Sequence, residues 1–357
     1  MITIVVGGQF GGEGKGKISA YLAAKEKIDI ACRCGGPNSS HTVIWKNKSF
    51  RLRMLPTAAV VNPAVSVFFG AGTLIHIPTL LAEIDQIGFS GQLLIDRQAG
   101  IVTDEIINQQ RRDKRYERLG STLTGTGHAS AMRCLRSLPL AREFHELQSW
   151  TCNLTPELMS AVADRKKILI EGHQGFGLSN YHGDYPYTSS RDSTAASMLA
   201  ELGLGPRFKS LKVVLAAKMF PTRNHQGDLG EEMPTEEAEQ IGIREYGGGS
   251  WGIPDRRRRV GYLDLDLLRR AAFVNGATQI ALTGIDYYDH TLKYRTKASD
   301  MTHEIRRTVD SIYEQVGVPV RFLSTGPETE AMVELAHDGN TKRRGTPVED
   351  PQGLWRN

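Results

Sequence analysis

Residues 1–17 read MITIVVGGQFGGEGKGK, and this stretch decides the class of fold. The apolar run 2–6 is typical of a buried β-strand, and the glycines after it predict a sharp turn into a helix that begins near Gly16. Backbone N–H groups in such a turn converge at the helix N-terminus, where they bind anions such as phosphate. Lys15 and Lys17 add positive charge at the same place. The stretch therefore predicts a phosphate site at the end of a first strand.

The turn departs from the standard P-loop motif at two positions. Gln9 stands where that motif has its first glycine, and Gly16 replaces the serine or threonine that would hold magnesium. The alternative to phosphate binding is a glycine turn that only packs a strand against a helix. Two lysines between a strand and a helix favour phosphate binding over that alternative.

The rest of the chain alternates between two apolar patterns. Strand-like runs recur at residues 2–6, 66–69, 93–95, 167–170, 211–215 and 279–282, and segments of helical periodicity include 18–25, 78–87 and 305–315. This alternation predicts an α/β fold with a mainly parallel central sheet flanked by helices, with ligands at the carboxyl ends of the strands. We expect one domain over residues 1–357, with loops or small subdomains at 111–118, 120–127 and 222–259.

The composition is that of a globular protein, with 40% hydrophobic residues and a net charge of +4 in 357 residues. A charge this small does not by itself imply a polyanion as partner. The four cysteines include no CxxC pair, which favours reduced thiols and a cytoplasmic location. The apolar run 2–6 is too short for a membrane anchor and lacks the basic segment of a signal peptide, so we expect no membrane association.

Seven segments resemble adenylosuccinate synthetases and follow one another in that family's order: GGQFGGEGKGK (7–17), GGPNSSHT (35–42), GSTLTGTG (120–127), EGHQG (171–175), HGDYPYTSS (182–190), RRRRVGYLD (256–264) and LSTGP (323–327). The resemblance implies a ligase that joins a purine monophosphate to L-aspartate through a 6-phosphoryl intermediate. In the family the acceptor is IMP, GTP drives the reaction, Mg²⁺ assists, and the enzyme is a homodimer.

The resemblance also implies catalytic roles for three side chains. His41 matches the general acid, for which a pKa near neutrality would be suitable. Gln174 matches the side chain that hydrogen-bonds the purine 6-oxygen, and Lys15 matches a phosphate-binding lysine. Backbone groups of Gly12 and Ser40 match the protein ligands of Mg²⁺.

Three further sets of binding residues follow from the same resemblance. The implied triphosphate site comprises Gly11, Gly12, Glu13, Gly14, Lys15, Gly16, Lys17, Ser40, His41, Thr42, Asp286, Ser324 and Gly326. The implied purine monophosphate site comprises Gly12, Asn38, Ser121, Thr122, Arg136, Gln174, Ser189, Asn224 and Arg256, with Arg136 contributed by the neighbouring subunit. The implied aspartate site comprises Gly249, Ser250, Arg256 and Arg258.

Two departures from the family concern the residues that recognise purines. Gly12 stands where the family has the aspartate that removes the proton from purine N1, a change that typically forfeits a factor of roughly 10²–10⁴ in rate. The family's donor-base motif TKLD reads TGID here, so Gly284 replaces the lysine that covers the base while Asp286 remains.

These departures favour a changed nucleotide choice, because guanine carries a 2-amino group beside N1 and Gly12 would make room for it. The chain then resembles the phage branch of the family, which uses dGMP, and ATP or dATP becomes a credible donor. That branch would place the protein in a host cytoplasm. An argument against this change is that a carboxylate at position 12, facing N1 and the 2-amino group, would itself recognise guanine well.

Three alternatives stay open. The first is an ordinary IMP- and GTP-using synthetase with a displaced base, and the second is a catalytically silent nucleotide-binding protein. The third is an RNA-binding module that uses the basic run 256–259. Such a module needs a wider basic surface, so we expect no nucleic-acid partner.

Overall fold

The predicted glycine turn joins a central strand to a helix in the computed structural model, which describes residues 1–206, 208, 210–224, 226–251 and 253–336. The strands are β1 (Ile2–Gly7), β2 (Ile30–Arg33), β3 (His41–Trp45), β4 (Lys48–Leu52), β5 (Ser66–Phe69), β6 (Leu74–Ile75), β7 (Leu93–Asp96), β8 (Gly100–Ile101), β9 (Thr151–Cys152), β10 (Ile168–Gly175), β11 (Leu211–Lys218), β12 (Thr222–Arg223), β13 (Tyr246–Gly247), β14 (Arg256–Arg257), β15 (Arg259–Val260), β16 (Gln279–Thr283), β17 (Val320–Ser324) and β18 (Met332–Glu334).

The α-helices occupy the connections between these strands. They are α1 (Lys15–Glu26), α2 (Ala58–Val61), α3 (Ile77–Ile87), α4 (Asp104–Arg112), α5 (Lys114–Arg118), α6 (Thr126–Cys134), α7 (Leu154–Ala163), α8 (Ala195–Leu202), α9 (Thr235–Gln240), α10 (Leu265–Asn275), α11 (Ile285–Tyr288) and α12 (His303–Val316).

A ten-stranded sheet runs through the protein in the order β18-β17-β16-β11-β1-β10-β2-β5-β7-β9. Among the described residues every neighbouring pair in this sheet is parallel except β17 and β18. The prediction of an α/β fold with a mainly parallel sheet is therefore confirmed. All six predicted strands belong to this sheet, and the three predicted helices are α1, α3 and α12.

Strand β1 lies at the centre because both of its faces are apolar. Ile4 and Val6 pack into the core on one side of the sheet, with residues of α8 and α10, and Val5 packs into the core on the other side, with residues of α1 and α3. All three side chains have no solvent exposure. Full burial of such a side chain stabilises the fold by about 1.5–3 kcal/mol, which fixes the glycine turn at the middle of the sheet edge.

Helices occupy part of two segments that the sequence predicts as loops or small subdomains. Residues 111–118 form the end of α4 and the whole of α5, so this stretch is helical. Helix α4 buries Ile106, Ile107 and Gln110, which precede the polar stretch, whereas α5 buries no residue and so leaves no apolar period in the sequence. In the segment 120–127, α6 begins at Thr126.

The described residues between 222 and 259 form a small subdomain, one of the two possibilities that the sequence predicts. It contains α9 and the antiparallel pairs β12–β15 and β13–β14. The four cysteines are free thiols, as predicted. Within the described part of the chain, no helix is long and apolar enough to cross a membrane. Residues 337–357 of the predicted single domain lie outside the described residues.

Candidate active site

A cavity of about 560 Å³ opens at the carboxyl ends of β1 and β10. It brings together these predicted site residues: Gly11, Gly12, Gly14, Lys15, Gly16, Asn38, Ser40, His41, Thr42, Ser121, Thr122, Gln174, Ser189, Asn224, Gly249 and Arg258. The remaining predicted residues do not line it: Glu13, Lys17, Arg136, Ser250, Arg256, Asp286, Ser324 and Gly326. Residues from widely separated parts of the chain thus meet at the sheet edge that a parallel sheet favours for ligands.

The glycine turn holds a carboxylate of its own. Glu13 is fully buried, and its Oε1 accepts hydrogen bonds from the backbone N–H groups of Gln9 (3.1 Å) and Gly11 (2.8 Å). Its Oε2 accepts one from Nζ of Lys15, at 2.7 Å. Burial would raise the pKa of Glu13, but Lys15 and the N–H donors hold it below the usual value. Glu13 therefore shapes the turn from beneath, while Lys15 lines the cavity.

Lys17 lies away from the cavity, unlike the sequence expectation that it contacts phosphates. Its Nζ donates to the hydroxyl of Ser324 (2.7 Å) and to the carbonyls of Gly326 (2.5 Å) and Ala331 (2.8 Å). Burial lowers the pKa of Lys17 to about 7, against the opposing charge of Asp286. In the structure Lys17 thus ties α1 to the loop after β17.

Gly12 has a left-handed backbone, with φ of +77°. A Cβ atom at this position would fall on the guanidinium Nη1 of Arg258 and lie 3.1 Å from the hydroxyl of Thr222. Nη1 of Arg258 donates to that hydroxyl at 3.3 Å and lies 4.0 Å from the carboxylate of Glu245. The space beside Gly12, which the sequence left open for a purine substituent, is filled by a flexible arginine side chain.

His41 lies in a buried network of polar groups. Its Nδ1 is 2.7 Å from Oε1 of Glu171, which also contacts Nη1 of Arg33. Oε2 of Glu171 accepts from the hydroxyl of Thr57 at 2.6 Å and from the Thr57 backbone N–H at 2.9 Å. Nε2 of His41 is 3.4 Å from the hydroxyl of Ser39. Glu171 therefore fixes the orientation of the imidazole, with Nε2 on the side away from the carboxylate.

The close approach of His41 to α1 requires a glycine. A Cβ atom at Gly16 would lie 2.7 Å from Cβ of His41 and 3.0 Å from Cγ2 of Thr57, too close for any side chain. Gly16, one of the two departures from the standard P-loop motif, thus leaves room for His41.

The protonation of His41 differs from the sequence expectation of a pKa near neutrality. Burial and the charge of Arg33 lower the pKa of His41 to about 4, although Glu171 opposes the shift. The pKa of Glu171 is itself lowered to about 2; burial would raise it, and Arg33 and His41 outweigh that effect. The imidazole is therefore neutral at pH 7 in this state. An anionic triphosphate beside it would favour the imidazolium that a general acid needs.

Gln174 lines the cavity next to His173, which the sequence reasoning overlooked although it lies in the quoted EGHQG segment. The His173 ring is buried, and its Nε2 is 3.8 Å from Oε1 of Glu201. Glu201 pairs with Arg191 at 2.6 Å and accepts from the backbone N–H of Gly35 at 3.1 Å. This cluster stabilises the end of β10 behind Gln174.

Two side chains, Arg53 and Ser250, connect the segments that form another part of the cavity wall. Arg53, another residue that sequence reasoning missed, donates to the carbonyls of Pro37 (2.7 Å) and Gly249 (2.8 Å) and lines the cavity. The hydroxyl of Ser250 donates to the carbonyl of Thr122 at 2.6 Å. Ser250 therefore supports the predicted phosphate loop from behind, and Gly249 is the member of this pair that reaches the cavity.

The residues predicted for the donor base form a separate group. Thr283 ends β16 and Ser324 ends β17, two neighbouring parallel strands. Asp286 is half-buried, and burial raises its pKa although Lys17 and other lysines oppose the shift. These positions lie at the same sheet edge as the glycine turn, and Ser324 is joined to α1 through its hydrogen bond with Lys17.

Arg136 and Arg256 are exposed and lie outside the cavity. The contribution of Arg136 to a neighbouring subunit stays a prediction. Gly12 and Ser40 both line the cavity, and Mg²⁺ characteristically binds one or two protein oxygens beside phosphates and waters, which their carbonyls fit. Among the residues described, no group of three or more His, Cys, Asp or Glu is placed to hold a metal.

Comparisons with known proteins agree on one family. The family profile described as adenylosuccinate synthetase matches residues 4–144 and 139–295. The adenylosuccinate synthetase of Methanocaldococcus jannaschii is 40% identical over 341 residues, covering 94% of this chain and 97% of the relative. That of Archaeoglobus fulgidus is 38% identical over 335 residues, covering 93% and 98%.

Two solved structures share the fold. Fully ligated adenylosuccinate synthetase from Plasmodium falciparum superposes with a TM-score of 0.82 at 20% identity, covering 94% of this chain and 99% of that one. Succinoaminodeoxyadenylate synthetase of cyanophage S-2L, bound to dGMP and dATP, gives a TM-score of 0.76 at 23% identity, covering 93% and 95%. The chain therefore belongs to the adenylosuccinate synthetase family and is a ligase that joins aspartate to a purine nucleotide through a new C–N bond.

Proposed function

We propose that this ligase joins L-aspartate to C6 of dGMP and is driven by ATP or dATP, giving N6-succino-2-aminodeoxyadenylate, a nucleoside diphosphate and phosphate. The observation that carries the proposal is Gly12, which places no side chain at the position where the family holds its N1-directed carboxylate. The space there is occupied by the Arg258 side chain, which a ligand can displace far more cheaply than backbone.

The reaction would proceed in two steps. The 6-oxygen of the purine attacks the γ-phosphorus and the diphosphate leaves; the amine of aspartate then displaces phosphate from C6. Lys15 and the N-terminus of α1 hold the phosphates, His41 donates a proton towards the transferring phosphoryl group and the 6-oxygen, and Gln174 stabilises negative charge on the 6-oxygen. Mg²⁺, when bound near Gly12 and Ser40, would neutralise charge on the phosphates.

The two other ligands would occupy adjoining parts of the cavity. Asn38, Asn224 and the hydroxyls of Ser121, Thr122 and Ser189 would hold the monophosphate. Arg258 and Gly249 would receive aspartate, whose carboxylates suit a planar guanidinium. The reaction would be completed in a homodimer by Arg136 from the second subunit.

A second candidate is an ordinary GTP-driven synthetase that acts on IMP. The archaeal relatives favour it, because they carry the name adenylosuccinate synthetase at 36–40% identity over nearly the whole chain. Gly284, in place of the family's lysine, favours a donor other than GTP and so weighs against this candidate.

Steady-state assays with aspartate and Mg²⁺ separate the two. Each of IMP, GMP and dGMP is paired with each of ATP, dATP and GTP, and phosphate release is measured together with the mass of the product. Our proposal predicts the highest kcat/KM for dGMP with ATP or dATP. Turnover with IMP alone would contradict it, and nucleotide binding without phosphate release from any pair would favour the catalytically silent protein.

A further inference from the structure

The proposed reaction needs a proton acceptor at purine N1. The 6-oxygen becomes a good nucleophile only when N1–H loses its proton and the electron pair is shared with the oxygen. A general base contributes roughly 10²–10⁴-fold to such a step. Gly12 provides no side chain for this role, so another group has to accept the proton.

Glu245 is the only carboxylate among the described residues that line the cavity. Two other acids near the cavity, Glu13 and Glu171, are fully buried. The oxygens of Glu13 are occupied by Lys15 and by backbone N–H groups of the turn, and those of Glu171 by Arg33, His41 and Thr57. Glu245 comes from the segment before β13, and its backbone carbonyl accepts from the N–H of Arg258 at 3.0 Å. Its position is thus tied to the arginine that fills the space beside Gly12.

A hydroxyl connects Glu245 to that space. The Thr222 hydroxyl donates to Oε2 of Glu245 at 3.3 Å, and it lies 3.1 Å from where a Cβ of residue 12 would be. In the structure this hydroxyl accepts from Nη1 of Arg258 at 3.3 Å. If Arg258 turns to the carboxylates of aspartate, the Thr222 oxygen is free to accept from a purine N1–H at the same point.

We propose that Glu245 accepts the N1 proton of the purine monophosphate through the hydroxyl of Thr222; this inference rests on the proposed function. The N1–H bond breaks, its proton passes to the Thr222 oxygen, and the hydroxyl proton passes to Oε2 of Glu245. The electron pair stays on the purine and is delocalised to the 6-oxygen, which attacks the γ-phosphorus and releases the diphosphate.

The surroundings of Glu245 keep it ionised, which is the form that can accept a proton. Burial would raise its pKa, but Lys218, which contacts Oε1, and Arg258 hold the pKa below the usual value. Oε1 is therefore paired with a cation, while Oε2 faces Thr222. Lys218 is itself fixed, because its backbone N–H and carbonyl both pair with the side chain of Gln9 in the glycine turn.

Positional isotope exchange in ATP labelled with ¹⁸O at the β,γ-bridge tests the step without aspartate. Exchange requires transfer of the γ-phosphoryl group to the purine, so it reports proton removal together with that transfer. We expect Glu245→Gln to lose at least about 100-fold in exchange rate, while the dissociation constants of dGMP and ATP change less than about threefold. Thr222→Val, which leaves the pair of Glu245 with Lys218 intact, should lose at least about tenfold and serves if Glu245→Gln fails to fold.

The matched control is Glu239→Gln. Glu239 is a carboxylate of the same subdomain that pairs with Arg257 at 2.6 Å and lies outside the cavity; its exchange rate should stay within about twofold, as is usual for an exposed pair. In the double variant Gly12→Asp with Glu245→Gln, the restored carboxylate should recover part of the exchange.

The possible failures are distinguishable. Unchanged exchange in both Glu245→Gln and Thr222→Val, with exchange present in the wild type, would overturn the role of Glu245 alone. A rise in KM for dGMP with normal exchange at saturation would also overturn it, because Glu245 would then only bind guanine. Absence of exchange in the wild type with dGMP, GMP and IMP would overturn both the proposed function and this inference.

Discussion

Nδ1 of His41 lies 2.7 Å from Oε1 of Glu171, and both side chains are buried, with His41 lining the cavity and Glu171 behind it. The same carboxylate is the counter-charge of Arg33, whose side chain is 3% exposed. Orientation of the imidazole and neutralisation of a buried guanidinium therefore depend on one residue.

Glu171→Gln should destabilise the protein strongly. The amide keeps the shape of the side chain but leaves Arg33 buried without a counter-charge, which typically costs about 3–5 kcal/mol. Urea denaturation followed by circular dichroism measures the free energy of unfolding. Glu239→Gln, which breaks the exposed pair with Arg257, should cost no more than about 1 kcal/mol. Equal losses in the two variants would contradict the account of this network.

Stability should fall as the solution becomes acidic, in a window set by His41 and Glu171. The pKa of His41 is lowered from 6.5 to about 4, so below pH 6.5 the unfolded chain binds a proton that the native protein does not. The free energy of unfolding therefore decreases from pH 6.5 towards 4. The pKa of Glu171, lowered from 4.5 to about 2, adds a further loss between pH 4.5 and 2. Denaturation of the wild type and of His41→Gln at several pH values should show a shallower decrease above pH 4 in the variant; parallel decreases would refute the assignment to His41.

Lys17→Met should lower the free energy of unfolding by about 1–3 kcal/mol, because the buried oxygens of Ser324, Gly326 and Ala331 would lose their donor. Thermal and urea denaturation measure the loss. Lys25→Met, on the same helix but half-exposed, should change it by less than about 1 kcal/mol. If Lys17→Met leaves stability unchanged, the role of Lys17 as a link between α1 and the β17 loop is wrong.

Gly12→Asp should shift the choice of acceptor from dGMP towards IMP. The new carboxylate would meet purine N1 and crowd the 2-amino group that hypoxanthine lacks, and aspartate tolerates the left-handed backbone at this position better than most residues. We expect the ratio of kcat/KM for dGMP to that for IMP to fall at least about tenfold, a difference of roughly 1.4 kcal/mol. Gly12→Asn serves as the uncharged control of equal size. A ratio that falls equally in both variants would mean that size, and not charge, decides the choice.

The sequence predicted strands of the main sheet well and smaller elements outside it poorly. The six strands found from apolar runs are buried on both faces, which gives an uninterrupted pattern. The hairpin of β3 and β4 was missed. Its turn is formed by Lys46 and Asn47, which adopt left-handed conformations. Helix α5 was missed because it buries no residue, and helices of that kind carry no apolar periodicity.

The sequence predicted those site residues whose position is set by a neighbouring strand and turn. The glycine turn, His41 and Gln174 reach the cavity because a strand and the turn after it place them there. The contacts of Lys17 carried no sequence signal, since only the folded position of the β17 loop shows which acceptors it meets. Glu245 and Arg53 carried no local signal, because tertiary packing alone brings Glu245 to Arg258 and Arg53 to Gly249.

A competition assay shows whether the preferred acceptor is dGMP. The wild-type protein is incubated with equal concentrations of IMP and dGMP, together with aspartate, Mg²⁺ and ATP, and the products are separated and identified by mass spectrometry at low conversion. Our account predicts that succino-2-aminodeoxyadenylate exceeds adenylosuccinate at least about tenfold, which corresponds to roughly 1.4 kcal/mol in transition-state stabilisation. An excess of adenylosuccinate, which persists when GTP replaces ATP, would contradict it.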